Sequence, residues 1–328
     1  MPIVHLAGTA YTLESGENLL AGMERHGVSI PSSCRSGVCQ SCLVRATDGQ
    51  PPEAAQKGLK PTQRMQGLLL ACCCAVENDL EIALEGAAVQ YDTVVLEVTP
   101  LSDRVSALHL AVPAGFEYFP GQFINLIRPG NVVRSYSLAS VPGEDDVLTL
   151  HVAAMPGGAM STWVHRDARP GDTLQFSGPL GGCFYTGGRL DQPMLLLGTG
   201  TGLAPLYGIL RDALAQGHSG PIHLFHGSPV DAGLYLHEAI TALAEEFPQV
   251  AYHPCILESP ERPGVVQGDL GALALQACGD LSGWRVYLCG NPDLVRLMQR
   301  KCFLAGAAMA DILADAFLPA AAPATAST

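Results

Sequence analysis

Charge and aromatic rings are both scarce in this sequence: 15% of its 328 residues are charged and 6% are aromatic, with two tryptophans. With 48% of residues hydrophobic, so little charge excludes a disordered polymer and leaves a globular chain able to bury a sizeable core. The length allows two or three domains. Basic residues are the scarcer sign, 18 against 31 acidic ones. The resulting net charge of −13 excludes a nucleic-acid surface or an anionic membrane as the natural partner. No apolar run approaches the ~20 residues of a spanning helix. No basic segment followed by an apolar one opens the chain, so no secretory signal is expected, and a cytoplasmic setting with reduced thiols is. The ten histidines include no His-Glu-x-x-His or similar metal spacing. His5, His109 and His223, on apolar strands, are expected to be satisfied locally.

Cysteine is what the chain does have. There are eleven, and their uneven clustering in a chain this long opposes a disulfide scaffold. Cys34, Cys39 and Cys42 stand at C-x4-C-x2-C spacing, and Cys72, Cys73 and Cys74 form a run that can supply a fourth thiol. Thiols this close converge only when something holds them, and iron or zinc is the usual agent. Zinc suits the Cys39 and Cys42 pair alone. The longer arm and a lone distant fourth ligand suit a [2Fe–2S] cluster. Gly37 lets the loop wrap closely around sulfur with its N–H groups inward. Ser32, Ser33, Ser36 and Ser41 keep it small and polar. Cys183, Cys255, Cys278 and Cys302 read as buried small apolar residues.

Around this loop the pattern predicts a hairpin over 3–13, a helix over 17–26 capped by residues 15–18 and stopped by Gly27, and strands over 43–46 and 80–84. A boundary is expected near 86–90. Short strands over 91–99, 105–112, 122–127 and 147–154, separated by Pro, Gly and Asp, predict an antiparallel barrel. After one of them come Arg134, a permanent planar cation suited to phosphate, Tyr136, a ring that can lie on a heterocycle, and Ser137, which can hydrogen-bond a ring nitrogen. Gly158, Ser161 and Thr162, at a helix start, can present N–H groups to a pyrophosphate. Singly, each is also an ordinary strand edge or turn.

From about residue 192, strands over 194–198, 222–225, 250–257 and 286–289 alternate with helical patterns from after 205 to about 216 and over 236–246, 269–277 and 292–304. That alternation predicts a parallel α/β sheet with ligands at the carboxyl ends of its strands. Gly198, Thr199, Gly200, Thr201 and Gly202 follow the first strand. Leu203 stands where a third glycine of G-x-G-x-x-G would fall, so the loop reads equally as a nucleotide cradle or a tight βα turn.

Residues 68–82 resemble the last cluster segment of plant-type ferredoxins, where the ligand cysteine precedes an aspartate by seven positions. Counting back from Asp79 gives Cys72, with Cys73 and Cys74 left as packing residues. Taken in order, the cysteine loop, the Arg134 to Ser137 segment, the glycine loop to Pro205, and Cys289 with Gly290 in a Cys-Gly-Asn-Pro segment resemble one family. It is that of the reductase components of bacterial multicomponent oxygenases, within the ferredoxin–NADP reductase superfamily, over about 1–317. The resemblance implies a multidomain α+β and α/β chain: a β-grasp ferredoxin domain over 1–88, an antiparallel β-barrel FAD domain over 89–190 and a parallel-sheet α/β NAD domain over 191–317, while the Ala-, Pro- and Thr-rich composition of 318–328 predicts a disordered tail. Arg134 would meet a flavin phosphate, Tyr136 would lie on the isoalloxazine, and Ser137 would sit near its reactive nitrogen. Gly158, Ser161 and Thr162 would take the flavin pyrophosphate, and Gly200, Thr201 and Gly202 the nicotinamide diphosphate. Cys289 and Gly290 would approach the nicotinamide, and Phe317 would shield the flavin or join the core. Gln40 replaces a glycine common in the family between the second and third cysteines.

The expected activity is an electron relay. NADH gives two electrons at once, a [2Fe–2S] cluster takes one at a time, and FAD between them can do both. The single electrons would pass to a separate oxygenase or hydroxylase. NADH is expected over NADPH because no Arg or Lys follows the strand ending at 225, where a 2′-phosphate prefers one. Two other readings stand beside this: the same relay serving a non-oxygenase acceptor such as a deoxysugar dehydrase, or a ferredoxin-type carrier or redox sensor with a degenerate reductase half.

Overall fold

A computed structural model describes the chain apart from residues 33, 38, 85–88, 131 and 319–328. Ser33, most of the expected boundary and nearly all of the expected tail therefore lie outside the described residues. The chain forms two compact units, 1–88 and 89–328.

In the first unit, β1 (Ile3–Leu6) and β2 (Thr9–Thr12) make the expected hairpin. After β3 (Glu17–Asn18), helix α1 (Leu19–Arg25) starts where the Asn18 side chain accepts the Ala21 N–H at 3.3 Å, which satisfies one donor of the open first turn. Leu19, Leu20 and Met23 bury its inner face. Then follow β4 (Leu43–Asp48), α2 (Pro61–Met65), β5 (Leu68–Leu70), β6 (Ala75–Val76) and β7 (Leu80–Leu84). The main sheet runs β2-β1-β7-β4-β5, with β1 and β7 parallel, and its apolar face closes over α1 as a β-grasp.

The second unit begins with β8 (Gln90–Ser102), β9 (Val105–Ala111), β10 (Phe123–Arg128), β11 (Val132–Ser137), β12 (Val147–Ala153), α3 (Ala159–Arg166) and β13 (Thr173–Leu180). Their order, β11-β10-β13-β8-β9-β12, closes into a barrel through a bridge between Leu138 and Leu150. Two features depart from the sequence pattern. Arg134, Tyr136 and Ser137 lie within a strand instead of after one. The other is β13, which contains Gly178 and Pro179 and was not expected; it forms because β10 and β8 pair with it from both sides, and tertiary pairing overrides a poor local propensity.

The same unit continues with β14 (Met194–Thr199), α4 (Leu203–Ala215), β15 (Ile222–Ser228), α5 (His237–Glu246), β16 (Val250–Ile256), β17 (Val266–Gln267), α6 (Leu270–Cys278), β18 (Arg285–Gly290), α7 (Pro292–Leu304) and β19 (Ile312–Ala316). All paired strands are parallel, in the order β17-β16-β15-β14-β18-β19. Residues 194–197 are continuously apolar because both faces are covered: Leu196 packs with α4 and α5, Leu195 and Leu197 with α6 and α7. The chain leaves β14 toward β15 and returns to its other side as β18. The crevice between β14 and β18 is thus the switch point where open parallel sheets hold ligands. His109 meets Thr149 and His223 meets His253, each through a ring nitrogen, while His5 is exposed. No helix among the described residues is long and apolar enough to cross a membrane.

Candidate cofactor sites

In the cysteine loop, backbone N–H groups point at sulfur. Ser36 and Cys39 donate to Cys34 Sγ at 3.4 and 3.3 Å, and Cys34 donates to Cys39 Sγ at 3.4 Å. The Ser41 hydroxyl donates to Cys39 Sγ at 3.2 Å. The Ser36 hydroxyl and these N–H groups bring the Cys34 thiol down to about 5, and Cys39 is lowered first by Ser41. Cys42 is buried, which raises its thiol, and it interacts with Cys72. The loop curls this way because Arg35, Gly37 and Gln40 take left-handed φ values of 51°, 80° and 57°. Such a run makes a concave nest of N–H groups suited to an anionic centre. Gln40 keeps the conformation that favours glycine, and Gln63 Nε2 donates to its side-chain oxygen at 3.3 Å. The thiols associate two and two, Cys34 with Cys39 and Cys42 with Cys72, as suits a cluster whose two irons each take two protein sulfurs.

Cys73 and Cys74 both pack on the core, as expected. Cys74 is buried, and burial pushes its thiol up to about 12. Cys73 is half-buried and packs against the same core. Its Sγ lies 3.7 Å from Cys72 Sγ and 2.8 Å from where a Cβ on Gly37 would stand.

In the barrel, Arg134 is exposed and its guanidinium bonds the Val133 carbonyl at 2.7 Å. Burial pushes the Tyr136 phenol up to about 12, against the pull of the Arg134 charge. Gly158 caps α3 and must be small: a Cβ there would stand 2.5 Å from Ser161 Oγ. That hydroxyl is committed locally, accepting the Met155 N–H at 3.2 Å and reaching the Gly158 carbonyl at 3.2 Å. Ser161 thus shapes the turn, while Thr162 is exposed. Beside them lies a cleft of about 310 Å³ whose lining includes Arg104, Gly157, Thr162 and Arg166.

At the switch point the two strand ends meet backbone to backbone. A Cβ on Gly202 would overlap the Cys289 carbonyl and come within 2.8 Å of Gly290 Cα, and one on Gly198 would stand 2.7 Å from Leu206. Gly200, with φ of 53°, faces open space. Leu203, at the missing third glycine, is buried in the core beneath the loop. The close approach that a third glycine would serve is made by Gly202. Thr199 Oγ1 is 3.5 Å from the Asn291 N–H, and Thr201 lies in the turn between. The Cys289 sulfur is fully buried, 3.7 Å from Cys183 Sγ, and burial raises its thiol strongly. Cys183 is buried as expected, but it has this partner.

The edge strand β19, absent from the sequence pattern, completes the site. It sets Asp315 beside Cys289, and the Phe317 N–H reaches the Gly290 carbonyl at 2.8 Å, leaving the Phe317 ring half-buried. Ser137 Oγ, from the barrel, donates to Asp315 Oδ2 at 3.3 Å. Asp315 is the site residue that sequence reasoning passed over; its only signal was its place two residues before Phe317. Burial raises its carboxyl to about 6, while the Ser137 hydroxyl pulls the other way. Folding therefore takes up a proton between the ordinary 3.8 and about 6, and stability falls as pH rises across that window. NADH–ferricyanide turnover should show an ionisation near pH 6. Asp315→Asn should remove it. Ser137→Ala should move it upward, because the lost donor favoured the anion; a midpoint that moves down, or stays put in Asp315→Asn, contradicts this placement.

These sites belong to a recognisable class of iron–sulfur flavoprotein. The sequence matches the 2Fe-2S iron-sulfur cluster binding domain over 4–77, the oxidoreductase FAD-binding domain over 92–185 and the oxidoreductase NAD-binding domain over 196–300. It is 33% identical to the ferredoxin–NAD(P)(+) reductase component of the naphthalene 1,2-dioxygenase system of Pseudomonas putida, covering 93% of this chain and 94% of that one. It is 32% identical to the phenol hydroxylase P5 protein of Acinetobacter pittii (strain PHEA-2), covering 96% and 93%. The crystal structure of the Amycolatopsis cytochrome P450 reductase GcoB superposes with a TM-score of 0.68 at 30% identity, covering 98% of this chain and all of that one. The chain belongs to the family of reductase components of aromatic oxygenase systems. It is an oxidoreductase with 2Fe-2S, FAD and NAD domains, and the degenerate-carrier reading is not favoured.

Proposed function

We propose that this chain takes a hydride from NADH onto FAD and passes single electrons through its [2Fe–2S] centre to an oxygenase or hydroxylase in the cytoplasm. The observation that carries this is the meeting of Ser137, Asp315 and the Cys289–Gly290 backbone at one switch point, in a chain whose other unit holds the paired-thiol loop. When bound, the three groups supply two-electron acceptance, electron splitting and one-electron delivery. The protein's part is to hold them. Cys34, Cys39, Cys42 and Cys72 are the ligands in this reading. Arg134, Gly158 and Thr162 face the flavin phosphates, with Ser161 shaping their turn. Tyr136 and Phe317 flank the flavin ring, and Ser137 holds a hydroxyl toward its reactive edge. Gly198, Thr199, Gly200, Thr201 and Gly202 seat the dinucleotide diphosphate. Cys289 and Gly290 bring the nicotinamide close through their backbone. Domain limits at 88, 190 and 317 go with this division of labour.

Preference for NADH rests on charge. The segment 226–233 carries no Lys or Arg, and its one histidine, His226, is fully buried and held to about 3 by that burial, so it is neutral. Nothing there answers a 2′-phosphate. Identifying the extracted flavin and titrating NADH against NADPH in steady-state cytochrome c reduction tests both parts. FAD and a higher kcat/KM with NADH are expected. FMN, or a preference for NADPH, would overturn the corresponding assignment.

A further inference from the structure

We propose that Cys73 is a reserve ligand for the iron held by Cys72, so that the centre has five thiols for four positions. Residues Ala71–Cys73 form a 3₁₀ turn. With three residues per turn, successive side chains diverge by about 120°, yet here the two sulfurs come within 3.7 Å of each other. A metal–thiolate bond of about 2.3 Å puts two sulfurs on one tetrahedral ion about 3.8 Å apart. An iron bonded to one of them is therefore within reach of the other. Cys73 Sγ also stands 2.8 Å from where a Gly37 Cβ would be, so the loop that wraps the centre is shaped around this sulfur and leaves no room for a side chain between them. Cys74 has no such access, being wholly buried in the core.

The backbone need not move for the exchange. Asn18 Nδ2 holds the Cys72 carbonyl at 2.9 Å, and the Leu19 N–H holds that of Cys74 at 2.8 Å. Side-chain rotation between staggered wells suffices. The step is a ligand substitution: the iron–sulfur bond to Cys72 breaks, one to Cys73 forms, the Cys73 thiol releases a proton and the Cys72 thiolate takes one. Iron keeps its oxidation state.

The proposal rests on the [2Fe–2S] reading of the loop, and the test separates the two. Full-length Cys34→Ala, Cys72→Ala, Cys73→Ala and the double variant Cys72→Ala/Cys73→Ala are assayed for iron and acid-labile sulfide per chain, for the EPR spectrum after dithionite, and for FAD content. Cys72→Ala should keep most of its cluster with an altered EPR spectrum. Cys73→Ala should keep it with little change. The double variant should lose it as Cys34→Ala does, with FAD retained throughout. Iron retained in Cys34→Ala would defeat the cluster reading itself. If Cys34→Ala is empty, loss of the cluster in Cys72→Ala defeats only the reserve ligand, as does a cluster that persists in the double variant. An empty Cys73→Ala beside a loaded Cys72→Ala would make Cys73 the resident ligand and also overturn the proposal. Limited proteolysis of the 1–88 unit runs in parallel. If Cys72→Ala unfolds that unit, Cys72→Ser carries the test, its spectrum expected to shift when Cys73→Ala is added and an unchanged spectrum counting against.

Discussion

Replacing Cys39 with alanine is expected to divide the activity in two. NADH-dependent reduction of ferricyanide, which the flavin unit can serve alone, should persist. Reduction of cytochrome c should fall by more than the roughly 10–100-fold that loss of an outer-shell partner costs a metal site, because a direct ligand is gone. The physical reason lies in the loop. Cys39 Sγ accepts the Cys34 N–H and the Ser41 hydroxyl; alanine keeps the backbone N–H that bonds Cys34 Sγ but removes the sulfur, and with it the ligand and both bonds made to it. Visible absorbance should keep its flavin bands and lose the broad iron–sulfur contribution. Cytochrome c reduction at the original rate in iron-free variant protein would show that electrons leave directly from the flavin.

Gly202→Ala should have the next largest effect, and on the other substrate. The added Cβ meets the Cys289 carbonyl and the Gly290 Cα, both backbone atoms that cannot rotate away. Either the β14 loop lifts or the β18 end retreats, and overpacking of this kind costs about 1–3 kcal/mol. Both segments are proposed to seat the dinucleotide, and a displacement of about 1 Å there can lower turnover about 10²-fold. The expected result is a fall of that order in kcat/KM for NADH with FAD still bound. Gly200→Ala is the comparison. Its Cβ meets nothing, so it bears only the strain of φ at 53°, and its effect should be smaller. Equal losses in the two variants would show that backbone freedom, not close approach, is what the loop requires.

Much of this architecture was legible in the chain because it rests on local signals. The cysteine spacing, the helix at α1 with its Asn18 cap, and the strand–helix alternation after residue 192 are periodicities and caps that neighbouring residues create among themselves. Other elements were not legible. β13 contains a glycine and a proline that argue against a strand, and only pairing on both sides makes it one. β19 is short and follows a helix, and only the open edge of β18 recruits it. Asp315 was overlooked for the same reason: a single carboxylate has no pattern, and its partner Ser137 is 178 residues away.

Spacing by itself pointed the thiols at C-x4-C-x2-C to a metal centre, and the order of that loop, the Arg134–Ser137 segment and the glycine loop carried the resemblance that implied flavin and dinucleotide. Tertiary structure alone decided how those parts act. It set Gly202 against Cys289 in place of a third glycine, gave Ser137 a carboxylate to bond, and brought the Cys73 sulfur up against Gly37 of the loop. The physical reason is one of range. Turn chemistry and periodicity act over a few residues, whereas close packing, burial and the sharing of a proton between two side chains depend on which distant surfaces the fold brings into contact.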